Sequence, residues 1–349
     1  MKIGIAQINT DPRRISENVD KIISYIKKGA EAGADLVVFP ELAIPGYACM
    51  DLILDDEYVE RNLEGLQKIA SSSGGIAAIV GFIDLDREKI RPDGLKCRYN
   101  SAALVQDGKL VGITDKTLLP EYDVFSEKRY FSEARNRKIF EIKGHNVGVM
   151  ICEDMWEEGY PRSVAGELCE RGAQVLVNLS ASPFSVGKKQ KRASIIGELI
   201  HRCGVPFVYV NAVGSHDGYE GEIVFDGFSM VFDGKGRLGA TGRNFSEDFF
   251  VVDLDEGFSP VACSSFPSEV EEIYGALVLG IRDYARRCGF KSSCLGLSGG
   301  IDSAVVCALA ADALGSGNVT AINMPARYSS KETRRDARKI AENLGAMFK

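Results

Sequence analysis

The chain has 349 residues, 45% of them hydrophobic and 26% charged, a composition that excludes disordered and fibrous classes and supports more than one core. Its formal charge of −7 argues against nonspecific nucleic-acid binding; 31 basic and 40 acidic residues precede residue 258, and 11 and 9 follow, so the C-terminal part is the better home for a polyanion. The start MKIGIAQINTDPRR and the absence of any apolar run of ~18 residues predict neither a signal peptide nor a membrane span, and nine cysteines with no CxxC pair predict free thiols in a reducing cytoplasm.

Taken in chain order, KIGIAQI reads as a strand, Ile15, Val19, Ile22, Ile23 and Ile26 as the apolar face of a helix, and DLVVFP as a second strand. Further strands are predicted at IAAIVGF, SAALVQD, KLVGITD, NVGVMIC, AQVLVNLS, PFVYVNAV, FSMVFD and DFFVVDL, with helices near 57–71, 160–171 and 188–203. Short strands closed by QDGK and FDGKG suit β-hairpins, so a layered α/β sandwich fits better than a purely parallel sheet. GFSPVACSSFPS breaks the pattern, giving a first domain over 1–257, a linker over 258–268 and a second domain over 269–349. The second opens with a long helix from Glu269 to Cys288. It continues as strand, glycine turn, helix, strand and a polar helix running to the last residue, which is the start of a doubly wound fold. With two strands, that sheet is too small to stand alone, and we expect either a piece of a longer protein or a poorly ordered tail.

Glu41 follows LVVFP, Lys116 follows KLVGITD and Cys152 follows NVGVMI; α/β sheets place their chemistry at such strand ends. Amide hydrolysis through a thioester needs a thiol, a group that takes and returns its proton, and donors for the oxyanion. His145, His201 and His216 lie in no turn beside a candidate nucleophile, which leaves a carboxylate as the base. Glu153 and Asp154 should raise the thiol pKa and Lys116 should lower it.

FPELAIPGY, DKTLLPEYDVF and ICEDMW resemble, in order and spacing, the three signature blocks of the nitrilase or carbon-nitrogen hydrolase family. The resemblance implies an α-β-β-α sandwich, with Glu41 as general base, Lys116 as cationic stabiliser and Cys152 as nucleophile. LPEYDVFSEKRYF and NLSASPFSVGKKQKR are similar to the glutaminase part of glutamine-dependent NAD synthetases. This implies a supporting carboxylate at Glu127 and glutamine-binding roles for Tyr122, Glu153, Trp156, Ser182 and Lys188, with no cofactor for that reaction. Lys189, Lys191 and Arg192 read equally well as a solvated helix start.

LGLSGGIDSAVV joins a strand to a helix through a glycine turn, so backbone N–H groups converge on one point, as in a phosphate cradle. It lacks the GxxxxGK[ST] pattern and resembles the pyrophosphate loop of the N-type ATP pyrophosphatases. That likeness implies ATP bound by Ser298, Gly299, Gly300, Ile301, Asp302 and Ser303, Mg2+ held by Asp302, and Met324 of the MPARYSS segment near the adenine. Together the two parts imply a glutamine-dependent synthetase whose ammonia amidates adenylated nicotinic acid adenine dinucleotide. The synthetase reaction itself is expected to be absent from a chain of this length, and the family likeness implies a homo-oligomer. The other readings are an amidase acting on another small amide and a nucleotide-binding module with an inactive amidase.

Overall fold

The computed structural model describes residues 1–135, 137–217, 222–256, 266–328 and 330–349. Two compact units emerge, Met1–Phe266 and Pro267–Lys349. Of the linker expected at 258–268, residues 258–265 lie outside the described residues.

In the first unit the elements run β1 (Lys2–Gln7), α1 (Ile15–Glu31), β2 (Leu36–Val38), α2 (Asp56–Ser71), β3 (Ala77–Ile90), β4 (Lys96–Gln106) and β5 (Lys109–Asp115). They continue as β6 (Ile139–Ile142), β7 (His145–Ile151), α3 (Val164–Glu170), β8 (Val175–Ser180), α4 (Lys188–Cys203) and β9 (Phe207–Asn211). β10 (Val213–Asp217), β11 (Glu222–Asp226), β12 (Met230–Phe232), β13 (Leu238–Thr241) and β14 (Asp248–Asp253) complete it. Two six-stranded sheets form, ordered β14-β1-β2-β3-β4-β5 and β13-β12-β9-β8-β7-β6.

Side-chain alternation along the strands explains the layering. Ile3, Ile5, Leu36, Val38, Ala77, Ile79, Ala102 and Leu104 of one sheet pack against Val147, Val149, Ile151, Val175, Val177, Leu179, Val208 and Val210 of the other. Their neighbours turn the opposite way: Val37, Ala78, Val80 and Ala103 pack with Ile15, Val19, Ile22 and Ile26 of α1 and with Val59, Leu66 and Ile69 of α2. On the far side, Met150, Leu176, Phe207 and Tyr209 pack with Leu168 of α3 and with Ile196, Leu199 and Ile200 of α4. Strands buried on both faces read as continuous apolar runs, and the layers are α-β-β-α. Each fully buried Val, Leu or Ile contributes ~1.5–3 kcal/mol.

The QDGK hairpin forms as expected: β4 and β5 pair antiparallel, and Asp107 (φ 50°) and Gly108 (φ 78°) both occupy the left-handed region that a two-residue hairpin turn requires. Strands β6, β10, β11 and β13, of four or five residues each, were not anticipated.

The second unit contains α5 (Glu269–Cys288), β15 (Ser293–Gly296), α6 (Ile301–Leu314), β16 (Val319–Ile322), α7 (Lys331–Leu344) and β17 (Met347–Phe348). Its core joins Leu297, Cys307, Ala310, Val319, Ala321, Ala337 and Ala341. Here the sequence reading needs correction, because the polar helix does not run to the last residue. Gly345 ends α7 in the left-handed conformation (φ 71°), as C-terminal glycines do, and Met347 and Phe348 then pair parallel with Thr320 and Ala321. The sheet thus has three strands, β15-β16-β17.

Candidate active site

Glu41 stands three residues beyond β2, in a segment pressed against β3. Ile44 N donates to the Gly81 carbonyl at 3.0 Å, and a Cβ on Gly81 would lie 2.4 Å from Leu42 N and 2.5 Å from the Pro40 oxygen. Only a residue without a side chain admits so close an approach. The Glu41 carboxylate is 1% exposed and fully engaged. Its Oε1 accepts from Asn100 Nδ2 and Lys116 Nζ, both at 2.7 Å, and its Oε2 accepts from Ala181 N at 2.9 Å.

Lys116, the first residue after β5, also donates to Glu127 Oε1 at 2.7 Å. Glu127 comes from a short helical turn at Glu127–Arg129, and the same oxygen accepts from Tyr47 OH at 2.7 Å. Burial disfavours the ammonium, but Glu127 and Glu41 outweigh it and hold the Lys116 pKa well above its ordinary value. Burial pushes Glu127 up to about 7 against the pull of Lys116, and Tyr47 is raised by burial and by Glu127. This buried cluster of one cation and two carboxylates is therefore stable with Lys116 charged.

Cys152 follows β7 with φ 46°, a left-handed conformation uncommon outside glycine and informative at functional sites. Its carbonyl accepts from Asn178 Nδ2 at 3.3 Å. Burial first and Glu41 second raise its pKa well above normal, Lys116 opposes them, and Glu153 and Glu127 add smaller upward pushes. The resting group is a thiol. The sequence expectation about Glu153 and Lys116 agrees in sign, whereas the carboxylate of Asp154 is committed to backbone N–H groups of Thr117, Leu118 and Ile151.

Cys152 opens onto a cavity of about 1080 Å³ that Tyr122, Glu153, Trp156, Ser182 and Lys188 also line, so all five residues expected to bind glutamine meet around the thiol. Tyr122 OH donates to the Glu153 carboxylate at 2.9 Å and Tyr160 OH does so at 3.0 Å. Burial raises the Glu153 pKa while Lys116 and the two phenols restrain it. Lys188 Nζ lies 5.9 Å from the Trp156 ring centroid, and burial, then Arg192, lowers its pKa.

The solvated-helix reading of KKQKR fails for two of its members. Lys189 is 1% exposed and Arg192 is 0% exposed. Lys189 Nζ lies 5.0 Å from the ring centroids of both Phe228 and Phe245. Arg192 pairs with Asp226 at 2.8 Å and donates to Ser182 Oγ at 3.2 Å and to the Ser182 carbonyl at 2.9 Å. Lys191 remains exposed. Asn100, Tyr47, Tyr160, Asp226 and the Ala181 N–H escaped the sequence reading. Asn100 on β4 and Asp226 on β11 are buried polar residues, and no local pattern announces such burial.

In the second unit, Gly299 (φ 94°) and Gly300 form the turn into α6. A Cβ on Gly299 would lie 2.1 Å from Thr333 O. Gly300 N donates to Ser298 Oγ at 3.2 Å, and Ser298 N donates to Ser303 Oγ at the same distance. Asp302 lies in the first turn of α6, Ile301 and Met324 are each 75% exposed, and Asn323 Nδ2 ties the end of β16 to Leu297 O at 2.7 Å. Among the described residues, no group of three or more His, Cys, Asp or Glu side chains is placed to hold a metal ion.

Known proteins give this arrangement its context. The NAD synthase family profile matches residues 273–349. The chain is 40% identical to a glutamine-dependent NAD(+) synthetase of Synechocystis over 98% of its length and 63% of that protein's. It is 36% identical to a Thermotoga maritima protein of the same name, over 99% and 64%. It therefore spans less than two thirds of the curated relatives it matches. A glutamine-dependent NAD+ synthetase from Acinetobacter baumannii, solved with ADP, superposes with a TM-score of 0.90 at 35% identity, covering 99% of this chain and 64% of that one. An amidase of the nitrilase superfamily from Nesterenkonia shares the fold, with a TM-score of 0.61 at 23% identity over 75% of this chain and 91% of its own. The carbon-nitrogen hydrolase profile matches residues 2–260, and with Glu41, Lys116 and Cys152 assembled at the ends of its strands the chain belongs to the carbon-nitrogen hydrolase family.

Proposed function

We propose that the first unit hydrolyses glutamine to glutamate and ammonia and that the chain is the glutaminase and initial synthetase portion of a glutamine-dependent NAD(+) synthetase. The observation that carries this reading is the shared cavity: the Cys152 thiol, the Glu153 carboxyl group held by two phenols and the Lys188 amino group complement the amide, α-ammonium and α-carboxylate of glutamine. An amidase for other small amides gives no account of the NAD synthase match at 273–349.

In this reading Glu41 takes the Cys152 proton as sulfur attacks the amide carbon. Lys116 has three N–H donors. Two are committed to Glu41 and Glu127, leaving the third for the oxyanion beside the backbone N–H of Glu153. When the C–N bond breaks, Glu41 returns the proton to ammonia. Water then attacks the thioester, giving up a proton to Glu41 that is restored to the sulfur. Because the thiol rests protonated, attack must be coupled to that proton transfer. Glu127 and Glu41 together favour the charged form of Lys116.

Ammonia passes to a synthetase reaction on adenylated nicotinic acid adenine dinucleotide. The residues of the second unit fit the phosphates of ATP: a glycine turn in which Gly299 has no room for a Cβ and the N-terminus of α6 meet at Ser298–Ser303. Bound ATP would supply activation of a carboxylate by adenylation. Asp302 provides the single carboxylate that a phosphate-bound Mg2+ commonly takes, and exposed Met324 offers an apolar surface to the adenine. A homo-oligomer and a cytoplasmic location accompany the reading. The first is supported by the family likeness, the second by cysteine spacings without metal or disulfide patterns. No helix among the described residues is long and apolar enough to cross a membrane.

Ammonia release from a panel of amides tests the proposal, with glutamine expected to be strongly preferred and a glutamine-derived thioester or affinity label expected on the Cys152 peptide by mass. No preference for glutamine would sink it.

A further inference from the structure

One carboxylate joins the two segments that carry Lys116 and Cys152. Asp154 is 1% exposed. Its Oδ1 accepts from the N–H groups of Thr117 and Leu118, both at 2.9 Å, which are the two residues after Lys116. Its Oδ2 accepts from Ile151 N at 3.0 Å, the residue before Cys152. Between these anchors Cys152 is held at φ 46°, and Asn178 holds its carbonyl from β8. We propose that Asp154 is a positioning residue for glutamine hydrolysis, clamping the backbones on either side of the reaction so that the Lys116 ammonium and the Cys152 thiol meet the same amide. The inference rests on the glutaminase reading above.

The chemistry of the side chain supports a clamp. An ionised carboxylate presents acceptors alone and can receive all three N–H groups at once, with charge-assisted strength. An amide of the same shape must turn its NH2 toward either the Ile151 N–H or the paired N–H groups of Thr117 and Leu118, so one side of the clamp opens. The bonds link segments from different sheets, β5 and β7, which a local turn cap would not do. Both catalytic groups are otherwise fixed by side chains of their own surroundings, and this carboxylate is a direct tie between their main chains.

The test compares Asp154→Asn with Asn62→Ala in the full chain. Asn62 is equally buried and bonds both polar groups of Ile83, at 2.7 and 3.1 Å, away from the catalytic cluster. Three quantities are read: kcat and KM for glutamine, the rate of Cys152 alkylation by iodoacetamide located by peptide mass, and Tm. Asp154→Asn is expected to lower kcat about 100-fold, the scale of a 1 Å misplacement, with KM within about threefold and alkylation slowed. Asn62→Ala, at a comparable loss of Tm, should keep kcat within about threefold. A kcat for Asp154→Asn near that of the parent, or an equal loss in Asn62→Ala, would overturn the clamp. If the parent does not prefer glutamine, the functional reading fails, and an unchanged alkylation rate in Asp154→Asn separately refutes the positioning role. Asp154→Ser, which keeps one oxygen acceptor, carries the same expectations if Asp154→Asn does not fold.

Discussion

Gly81→Ala tests whether the catalytic carboxylate is positioned by backbone contact. Gly81 has no left-handed φ, so alanine brings no conformational strain of its own; the whole effect is one methyl group in occupied space. That methyl would lie 2.4 Å from Leu42 N, 2.5 Å from Pro40 O and 2.8 Å from Glu41 C, whereas ordinary contact begins at 3.4 Å. All three atoms are main chain, so the 40–42 segment must retreat by about 1 Å. The Glu41 carboxylate moves with it, away from Ala181 N, Asn100 and Lys116, whose bonds are 2.7–2.9 Å long. A shift of that size should lower kcat/KM for glutamine about 100-fold, and overpacking should cost ~1–3 kcal/mol of stability. Steady-state ammonia release and urea unfolding on the same preparation separate the two effects. Full activity in a variant destabilised by the expected amount would refute the reasoning, because Glu41 would then tolerate the displacement.

Other consequences are equally direct. Glu127, at about 7 against the ordinary 4.5, holds its proton in the folded chain where the unfolded chain has lost it. Its stabilising contribution is complete below about 4.5 and is lost as pH rises through about 7. Glu127→Gln does not titrate, so its urea midpoint should improve relative to the parent between pH 5 and 8, by an amount on the order of 3 kcal/mol at most; parallel midpoints would contradict the assignment. Tyr160→Phe removes one donor to Glu153 and should raise KM for glutamine several-fold with little change in kcat, checked by initial rates. Arg192→Met leaves Asp226 buried without its cation and should cost ~3–5 kcal/mol in urea unfolding, whereas Arg192→Met with Asp226→Leu should recover most of the loss.

Particular residues show where sequence is sufficient. Strands buried on both faces announce themselves as apolar runs, so β1, β2, β7, β8 and β9 were readable, and with them the strand ends bearing Glu41 and Cys152; Lys116 follows β5, a partly exposed hairpin strand. The hairpin at Asp107 and Gly108 was readable because its backbone conformation selects its residues. Strand β17 was not, since two apolar residues after Gly345 carry no periodicity and become a strand only by pairing with β16.

Chemistry divides along the same line. Local pattern and motif establish which residue types are available for the reaction and at which strand ends they stand. Tertiary packing alone brings Lys116 and Tyr47 to one oxygen of Glu127, buries Arg192 against Asp226, and lets Asp154 span from the segment of Lys116 to that of Cys152. Those interactions join residues distant along the chain, and the low dielectric that gives them their strength and shifts their pKa values exists only once both sheets and their helices have excluded water.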